Sequence, residues 1–407
     1  MENPVVILMT CDTKSRLAAH VKAHVERMGV SATLVDIALR KKALKVKPDI
    51  SNEQIAQMGG VDFDSIENAP TRGDAVVRMA QALKPALKKL YDDGALGGVI
   101  CLGGAGSFIA APAMQELPIG VPKMLVSPLA SGNRTFEPFV GTSDMVVMDS
   151  VVDIAELNNI SRKVFDNAAS AIAGMVLAAN RFEQVDDNME NIGVSMMGTT
   201  TKGTQAAMDV LHEAGYNCVV FHATGGGKAM ERLIGEGAFV GILDYTLAEM
   251  VGTHIAGFSK ADPGRMGVAG QYGLPQVVVP GCVDFINLFP HEVNLAEYAG
   301  RVIYNHSPQY PLARTNKDEM LIVAEKIAQQ LNKSSAAVEV VLPKKGFSQP
   351  NHPGGPFWNE DSDDAFRAKL TQLLNSEIAV TQVDYHINDE ACGRLAGQKL
   401  VSLLKRK

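Results

Sequence analysis

Several features that define protein classes are missing from this sequence. Its five cysteines, Cys11, Cys101, Cys218, Cys282 and Cys392, are odd in number and far apart, with no CxxC and no Cys/His ligand spacing. That argues against a disulfide framework and a structural zinc site, and for reduced thiols in a cytoplasmic protein. Cys101 and Cys218 lie in apolar runs and read as inert core thiols. There is no excess of positive charge: 38 Lys and Arg stand against 45 Asp and Glu, a net charge of −7. A general nucleic-acid binder usually shows a basic domain or stripe, so no nucleic-acid partner is expected. No long hydrophobic run occurs either. The longest weakly apolar stretch, Ala168 to Ala179, is shorter than the roughly 20 residues that span a bilayer. It reads as a buried helix, and no membrane partner is expected. The opening run Pro4 to Met9 is too short for the apolar region of a signal peptide. No HExxH, GxSxG or P-loop pattern is present.

What the chain does have is length and glycine. With 407 residues it is long enough for two or three domains with real cores. Its 37 glycines exceed the average of about 7%, and their positions matter more than their number.

The first half reads as strand, turn, helix, strand. Val5–Met9 is apolar, Thr10 to Thr13 supplies turn and cap residues, and Leu17, Val21, Val25 and Met28 recur at helical spacing. Residues 40–70 are less regular and read as an insertion with a basic cluster (Arg40, Lys41, Lys42, Lys45, Lys47), taken as a solvated face over a phosphate patch. Thr71 with Asp74 forms a capping box ahead of a long helix, and Gly98–Leu102 is a buried strand. A helix is expected over about Ile154 to Asn180. A second copy of the plan begins near residue 190. Met9-x-x-x-Thr13-Lys14 matches Met197-x-x-x-Thr201-Lys202, and Gly120–Val126 resembles Gly273–Val279, which suggests a duplication. Further on, Thr315 with Asp318 reads as a helix cap, and a Pro/Gly-rich loop runs from Gly346 to Trp358. The pattern is α/β, with two Rossmann-like subdomains, mainly parallel sheets, at 1–185 and 186–407. The boundary is expected between Phe182 and Asn191. Such sheets bind ligands at the carboxyl ends of their strands.

Three Gly- or Thr-rich turns follow expected strands and open expected helices. They are Gly103-Gly104-Ala105-Gly106-Ser107, Gly198-Thr199-Thr200-Thr201-Lys202 and Thr224-Gly225-Gly226-Gly227-Lys228. Glycine admits close approach of the backbone, and free N–H groups at a helix start favour phosphate or carboxylate. Three such turns at equivalent positions suggest an anion site. Asp12, beside Thr13 and Lys14, suits Mg2+ or a ribose hydroxyl and equally an N-cap. Ser131-Gly132-Asn133 and Gly141-Thr142-Ser143-Asp144 are ligand contacts or plain turns. Asp244, Thr246 and Glu249 follow an expected strand Phe239–Leu243, and Gly281 and Asp284 follow Val277–Val279. Asp244 with Asp284, and His222 at a strand end, are the candidate acid and base groups, with capping as the bland reading of the acids. Cys282 is a candidate nucleophile without a visible histidine partner.

These motifs carry a resemblance. Asp12-Thr13-Lys14, Gly103 to Ser107, Gly141 to Asp144, His222 to Gly225, Leu243 to Thr246 with Glu249, Gly281 to Asp284, Asn305 to Pro308 with Arg314-Thr315, and His386 to Asp389 occur in order along the chain. Together they resemble the family sharing the ATP-binding N-terminal domain of the tomato mosaic virus resistance protein, an inhibitor of viral RNA replication. A large group of uncharacterised microbial proteins shares that domain. The resemblance implies two Rossmann-like subdomains, ATP and Mg2+ as ligands, and a homodimer. It implies no reaction, and the antiviral role is not carried over. Lys228 stands where the family pattern has a small residue, and Cys11 and Cys282 depart from it, which counts against catalytic roles for them. Two functions are therefore expected in order. The first is a nucleotide-binding protein, its ligand held by the turns in or beside an interdomain cleft. The second is a hydrolase, lyase or transferase acting on a small anionic metabolite.

Overall fold

A computed structural model of the chain describes residues 3–42, 44–130, 137–181 and 189–406. By internal contacts the chain forms two compact units, Met1–Val185 and Asp186–Lys407. Ser131-Gly132-Asn133 and most of the stretch from Phe182 to Asn191 lie outside the described residues.

In chain order the first unit comprises β1 (Val5–Met9), α1 (Cys11–Arg27), β2 (Ala32–Asp36), α2 (Asn52–Met58), α3 (Phe63–Glu67) and α4 (Arg72–Asp92). Then come β3 (Gly98–Leu102), α5 (Gly106–Met114), β4 (Lys123–Ser127), α6 (Glu137–Val140), β5 (Val146–Asp149) and α7 (Asn159–Arg181). The strands are parallel in the order β2-β1-β3-β4-β5. Every residue of β1 is buried, as expected for a parallel strand covered on both faces. Its side chains alternate between two layers. Val6 and Leu8 meet Met79, Leu83 and Leu87 of α4. Val5, Ile7 and Met9 meet Leu17 and Val21 of α1 and Ala168 and Ile172 of α7. The Thr71/Asp74 capping box opens α4 as the sequence suggests. Residues 40–70 are more regular than expected, because Ser51 and Asp62 cap α2 and α3. Helix α7 starts later than Ile154, because the Asn158 side chain accepts from the N–H groups of Ile160 and Ser161 and so sets the start.

The second unit begins with β6 (Asn191–Met196), α8 (Thr201–Glu213), β7 (Asn217–His222), α9 (Gly226–Gly235), β8 (Gly241–Thr246), α10 (Ala248–His254), α11 (Gly267–Gln271) and β9 (Gln276–Gly281). It continues with β10 (Phe285–Asn287), β11 (Ile303–Ser307), β12 (Tyr310–Arg314), α12 (Lys317–Leu331), β13 (Val338–Pro343), α13 (Glu360–Leu373), β14 (Ala379–Val383) and α14 (Glu390–Leu404). Six parallel strands lie in the order β14-β13-β9-β8-β6-β7. Strands β10, β12 and β11 make a separate antiparallel sheet, an inserted element that the sequence reading missed. The cap expected at Thr315 is one residue later. Asn316 and Glu319 form the capping box, while the Thr315 hydroxyl donates to the Val283 carbonyl. Asp244 and Thr246 lie inside β8 rather than after it.

The first strand of each unit is flanked by the second and third, with the fourth and fifth following. Both units are therefore α/β sheets of the same Rossmann-like winding. Each has a switch point beside its first strand, at β1/β3 and β6/β8, where open sheets of this kind place ligands. One expectation is corrected here. The Gly103 turn follows the third strand at the switch point, whereas the Gly225 turn follows the edge strand β7, so the two are not equivalent.

Helices α8 and α14 pack closely through glycine. A Cβ on Gly393 would collide with the Gly203 carbonyl oxygen. Replacing a helical glycine by alanine usually gains up to about 1 kcal/mol, but overpacking costs about 1–3 kcal/mol, and a backbone oxygen cannot step aside. We expect Gly393→Ala to lower stability by about 2 kcal/mol, read as a lower urea midpoint. A rise in midpoint would contradict the close helix contact.

Candidate functional site

In the first unit, two turns adjoin at the β1/β3 switch point. An atom added at Gly106 would touch Thr10 and Ile37 at 3.7 and 3.8 Å, so α5 starts beside the turn that follows β1. The N–H groups of Gly104, Ala105 and Gly106 meet no acceptor among the described residues. Gly104 is half-buried and Ala105 exposed, while Gly106 is buried, so the first two donors of the row are reachable from solvent. The Ser107 hydroxyl is used internally, donating to the Gly103 carbonyl at 2.5 Å and lying 3.0 Å from Ser127 Oγ. Across the gap, Asp12 and Lys14 are half-buried and Thr13 is exposed. Thr13 Oγ1 donates to Asp12 at 3.3 Å and accepts from Lys14 Nζ at 3.4 Å. Burial pushes the Cys101 thiol of β3 up to about 12, and the Lys14 ammonium pulls the other way. Asp36, at the end of β2, accepts from the N–H groups of Cys11 and Ala38, both at 2.9 Å. Burial raises its pKa.

The turns of the second unit are used differently. At its switch point the Thr200 and Thr246 hydroxyls bond each other at 2.7 Å, and Thr199 Oγ1 lies 3.0 Å from Cys282 Sγ. Thr199 and Thr200 are fully buried and Thr201 Oγ1 donates to backbone carbonyls, so these hydroxyls face inward. Lys202 is exposed. At the third turn the protein supplies its own anion. Glu249 Oε1 accepts from the N–H groups of Gly225 and Gly227 at 2.7 and 2.9 Å. Its other oxygen takes Arg265 Nε at 3.1 Å. Arg265 also pairs with Asp244, which holds Gln276 Nε2 at 2.6 Å. Glu231 completes the group, 3.9 Å from Arg265 and accepting from Met266 N at 2.7 Å. Gly226 and Thr224 stand beside this filled cradle, and Thr224 Oγ1 lies 2.8 Å from Nδ1 of the exposed His222.

A separate cluster lies beyond the carboxyl end of β9. Ser348 Oγ donates to Asp284 Oδ2 at 2.5 Å. Arg314 reaches the Asp284 carbonyl at 3.0 Å and Asp363 at 2.6 Å, and Asn351 Nδ2 donates to Asp363 at 3.1 Å. His386 Nε2 lies 2.9 Å from the Ser348 carbonyl, and Asn388 donates to the Thr199 carbonyl at 2.8 Å. Burial raises the Asp284 carboxyl and lifts Asp363 to about 6. Asp284 Oδ1 and Asn351 Oδ1 are buried without a partner. Cys282 is fully buried at φ 61° with its thiol pushed far up, an unreactive setting. Asp244, Asp284 and His222, the expected acid and base groups, thus belong to three different sets of partners.

One arrangement escaped the sequence reading. His24 lies 2.9 Å from Ser170 Oγ through Nε2 and 3.0 Å from Asp166 through Nδ1, and His20 Nε2 reaches the same Asp166 at 2.7 Å. This has the order of a catalytic triad. Ser170 sits inside α7, however, where the backbone N–H groups are used by the helix and are not available as oxyanion donors. It is an interhelical tie. The shared i, i+4 spacing of His20/His24 and Asp166/Ser170 was its signal.

Comparison with known proteins bears on this arrangement. Residues 3–181 match the N-terminal domain, and residues 189–404 the C-terminal domain, of the uncharacterised protein family UPF0261. The chain belongs to the UPF0261 family. A UPF0261 protein of Clostridium tetani is 34% identical over 409 residues, covering all of both chains. The tomato ToMV resistance protein Tm-1(GCR237) is 38% identical over 328 residues, which is 79% of this chain and 43% of that protein. The tomato ToMV susceptible protein tm-1(GCR26) is 34% identical over 406 residues, 95% of this chain and 54% of that protein. Resistance and susceptible proteins are thus both similar to this UPF0261 chain. Among its described residues, no helix is long and apolar enough to cross a membrane.

The buried carboxylates allow a pH test. Burial lifts Glu231 to about 7 against the pull of Arg265. Between about pH 4.5 and 7 the folded protein then holds a proton that the unfolded chain has lost, so stability falls as pH rises through that window and levels above it. Over that window, wild type is expected to lose up to about 3 kcal/mol relative to Glu231→Gln, measured from urea midpoints at each pH. Parallel profiles for the two proteins would contradict the assignment.

Proposed function

We propose that this UPF0261 protein binds a nucleotide, ATP with Mg2+, and holds its phosphates at the β1/β3 switch point of the N-terminal unit. The observation that carries the reading is the row of N–H groups at Gly104, Ala105 and Gly106 without an acceptor among the described residues, the first two reachable from solvent, beside the turn that leads into Asp12 and Lys14. Phosphate suits N–H groups at a helix start, and a lysine adds a point charge. Asp12 is the residue suited to Mg2+, which is commonly held by one or two carboxylates together with substrate phosphates and water. The resemblance to ATP-binding proteins supports the ligand's identity. The turns at Gly198 and Gly225 support it less, because their donors are turned inward or filled by Glu249.

Binding without fast turnover suits this geometry, since no acid–base pair is assembled there among the described residues. The alternative, an enzyme for a small anionic metabolite, has weaker support, because Asp244, Asp284 and His222 do not converge. A homodimer fits the open edge of β7, where Val220 is 37% exposed. Free thiols at all five cysteines fit a cytoplasmic home.

Ligand at a hundred times Kd stabilises by about 2.7 kcal/mol. Millimolar ATP with Mg2+ is therefore expected to raise the melting temperature. By calorimetry, Lys14→Ala should weaken ATP at least tenfold and Lys202→Ala by less than twofold. No thermal shift in wild type, or the reverse order of the two variants, would overturn the reading.

A further inference from the structure

Beyond β2 the first unit holds a cavity of about 340 Å3, and its charges do not balance locally. Among its lining groups, Lys41 is paired with Glu53 at 3.2 Å and with Asp64 at 3.1 Å. Asp49 is paired with Lys22 at 2.6 Å. Asp36 spends one oxygen on two backbone N–H groups. That leaves Arg40, Lys42 and Lys47 lining the cavity with no partner among the described residues, three positive charges toward one space. The rim is anchored rather than loose. The Asn52 side chain donates to the carbonyls of Ala38 and Arg40 at 2.9 and 3.2 Å, and the Ala38 N–H is held by Asp36.

Asp36 links this cavity to the switch point, since the same carboxylate that lines the cavity accepts the Cys11 N–H at the start of α1. In nucleotide-binding sheets an acidic group near the end of the second strand meets the ribose, and a nearby arginine accommodates a phosphate carried on that ribose. Here the acid is engaged by the backbone, while an arginine and two lysines stand free beyond it. We propose that the cavity is a second phosphate subsite, and that the preferred ligand is a nucleotide carrying a phosphate on its ribose as well as at its 5′ end. This rests on the switch-point reading above and goes beyond it by naming the ligand class. Asp36 would lie beside the ribose, and Arg40, Lys42 and Lys47 would take the ribose phosphate.

The test uses the full chain and isothermal titration with AMP, adenosine 2′,5′-bisphosphate, adenosine 3′,5′-bisphosphate and ATP. One of the bisphosphates is expected to bind at least tenfold more tightly than AMP. Because all three side chains are exposed, the Arg40→Ala/Lys42→Ala/Lys47→Ala variant should fold and lose that advantage, while keeping its affinity for AMP within about threefold. Lys88→Ala, a surface change on α4, should retain the advantage. If ATP binds and neither bisphosphate exceeds AMP, the subsite is wrong and the switch-point reading stands. An advantage that survives the triple substitution also overturns the subsite. If none of the four nucleotides binds, the switch-point reading fails and the subsite fails with it.

Discussion

A helix that starts directly after a buried parallel strand presents N–H groups that its own turns cannot accept. Something must answer them, and in this protein the answer differs from turn to turn. At Gly225 and Gly227 it is a carboxylate of the chain itself, Glu249. At Thr199 and Thr200 the side chains turn inward and tie β6 to β8 and β9. At Gly104 to Gly106 no acceptor is supplied among the described residues, and the turn leading into Asp12 and Lys14 lies alongside. The same winding in two units therefore yields one closed arrangement and one open one.

The closed arrangement has structural consequences. Glu249, Asp244 and Glu231 gather around one buried guanidinium, so three acids share one cation in a low-dielectric setting. Breaking a buried pair by removing one partner typically costs about 3–5 kcal/mol, and here the loss of Arg265 would strand Asp244 and Glu249 together. Glu231, farthest from the guanidinium, is the group that burial shifts most visibly. The Asp284 cluster is built on the same plan around Arg314, and it gathers five stretches distant in sequence: Gly281 to Asp284, Arg314-Thr315, Ser348 to Asn351, Asp363 and His386 to Asp389.

Much of the scaffold was legible because local chemistry and tertiary role agree. The apolar run Val5–Met9 is a buried strand, the Thr71/Asp74 box opens a helix, and the glycine turn at Gly103 joins a strand to a helix, as their residues suggest. The misreadings arose where tertiary partners decide. Thr315 looks like a cap until Val283 claims its hydroxyl and Asn316 takes over. Asp244 looks like a residue beyond a strand because an acid inside a buried strand is costly, and Arg265 and Gln276, 21 and 32 positions away, make it tolerable. The antiparallel insert β10-β12-β11 has short strands without clear alternation. The glycine turns at Gly103 and Gly225 look alike in sequence, and Glu249, a distant residue, separates them. Arg265 carried no motif, so nothing in the sequence marked it as the centre of the second unit.

The account turns on which turn is open, and amide hydrogen exchange with and without ATP and Mg2+ reads this most directly. Slowed exchange is predicted at Gly104, Ala105 and Gly106 and through Cys11 to Lys14 on addition of nucleotide, with Gly225 and Gly227 unchanged because Glu249 already holds them. Protection gained at Gly225 and Gly227, with none at Gly104 to Gly106, would contradict it.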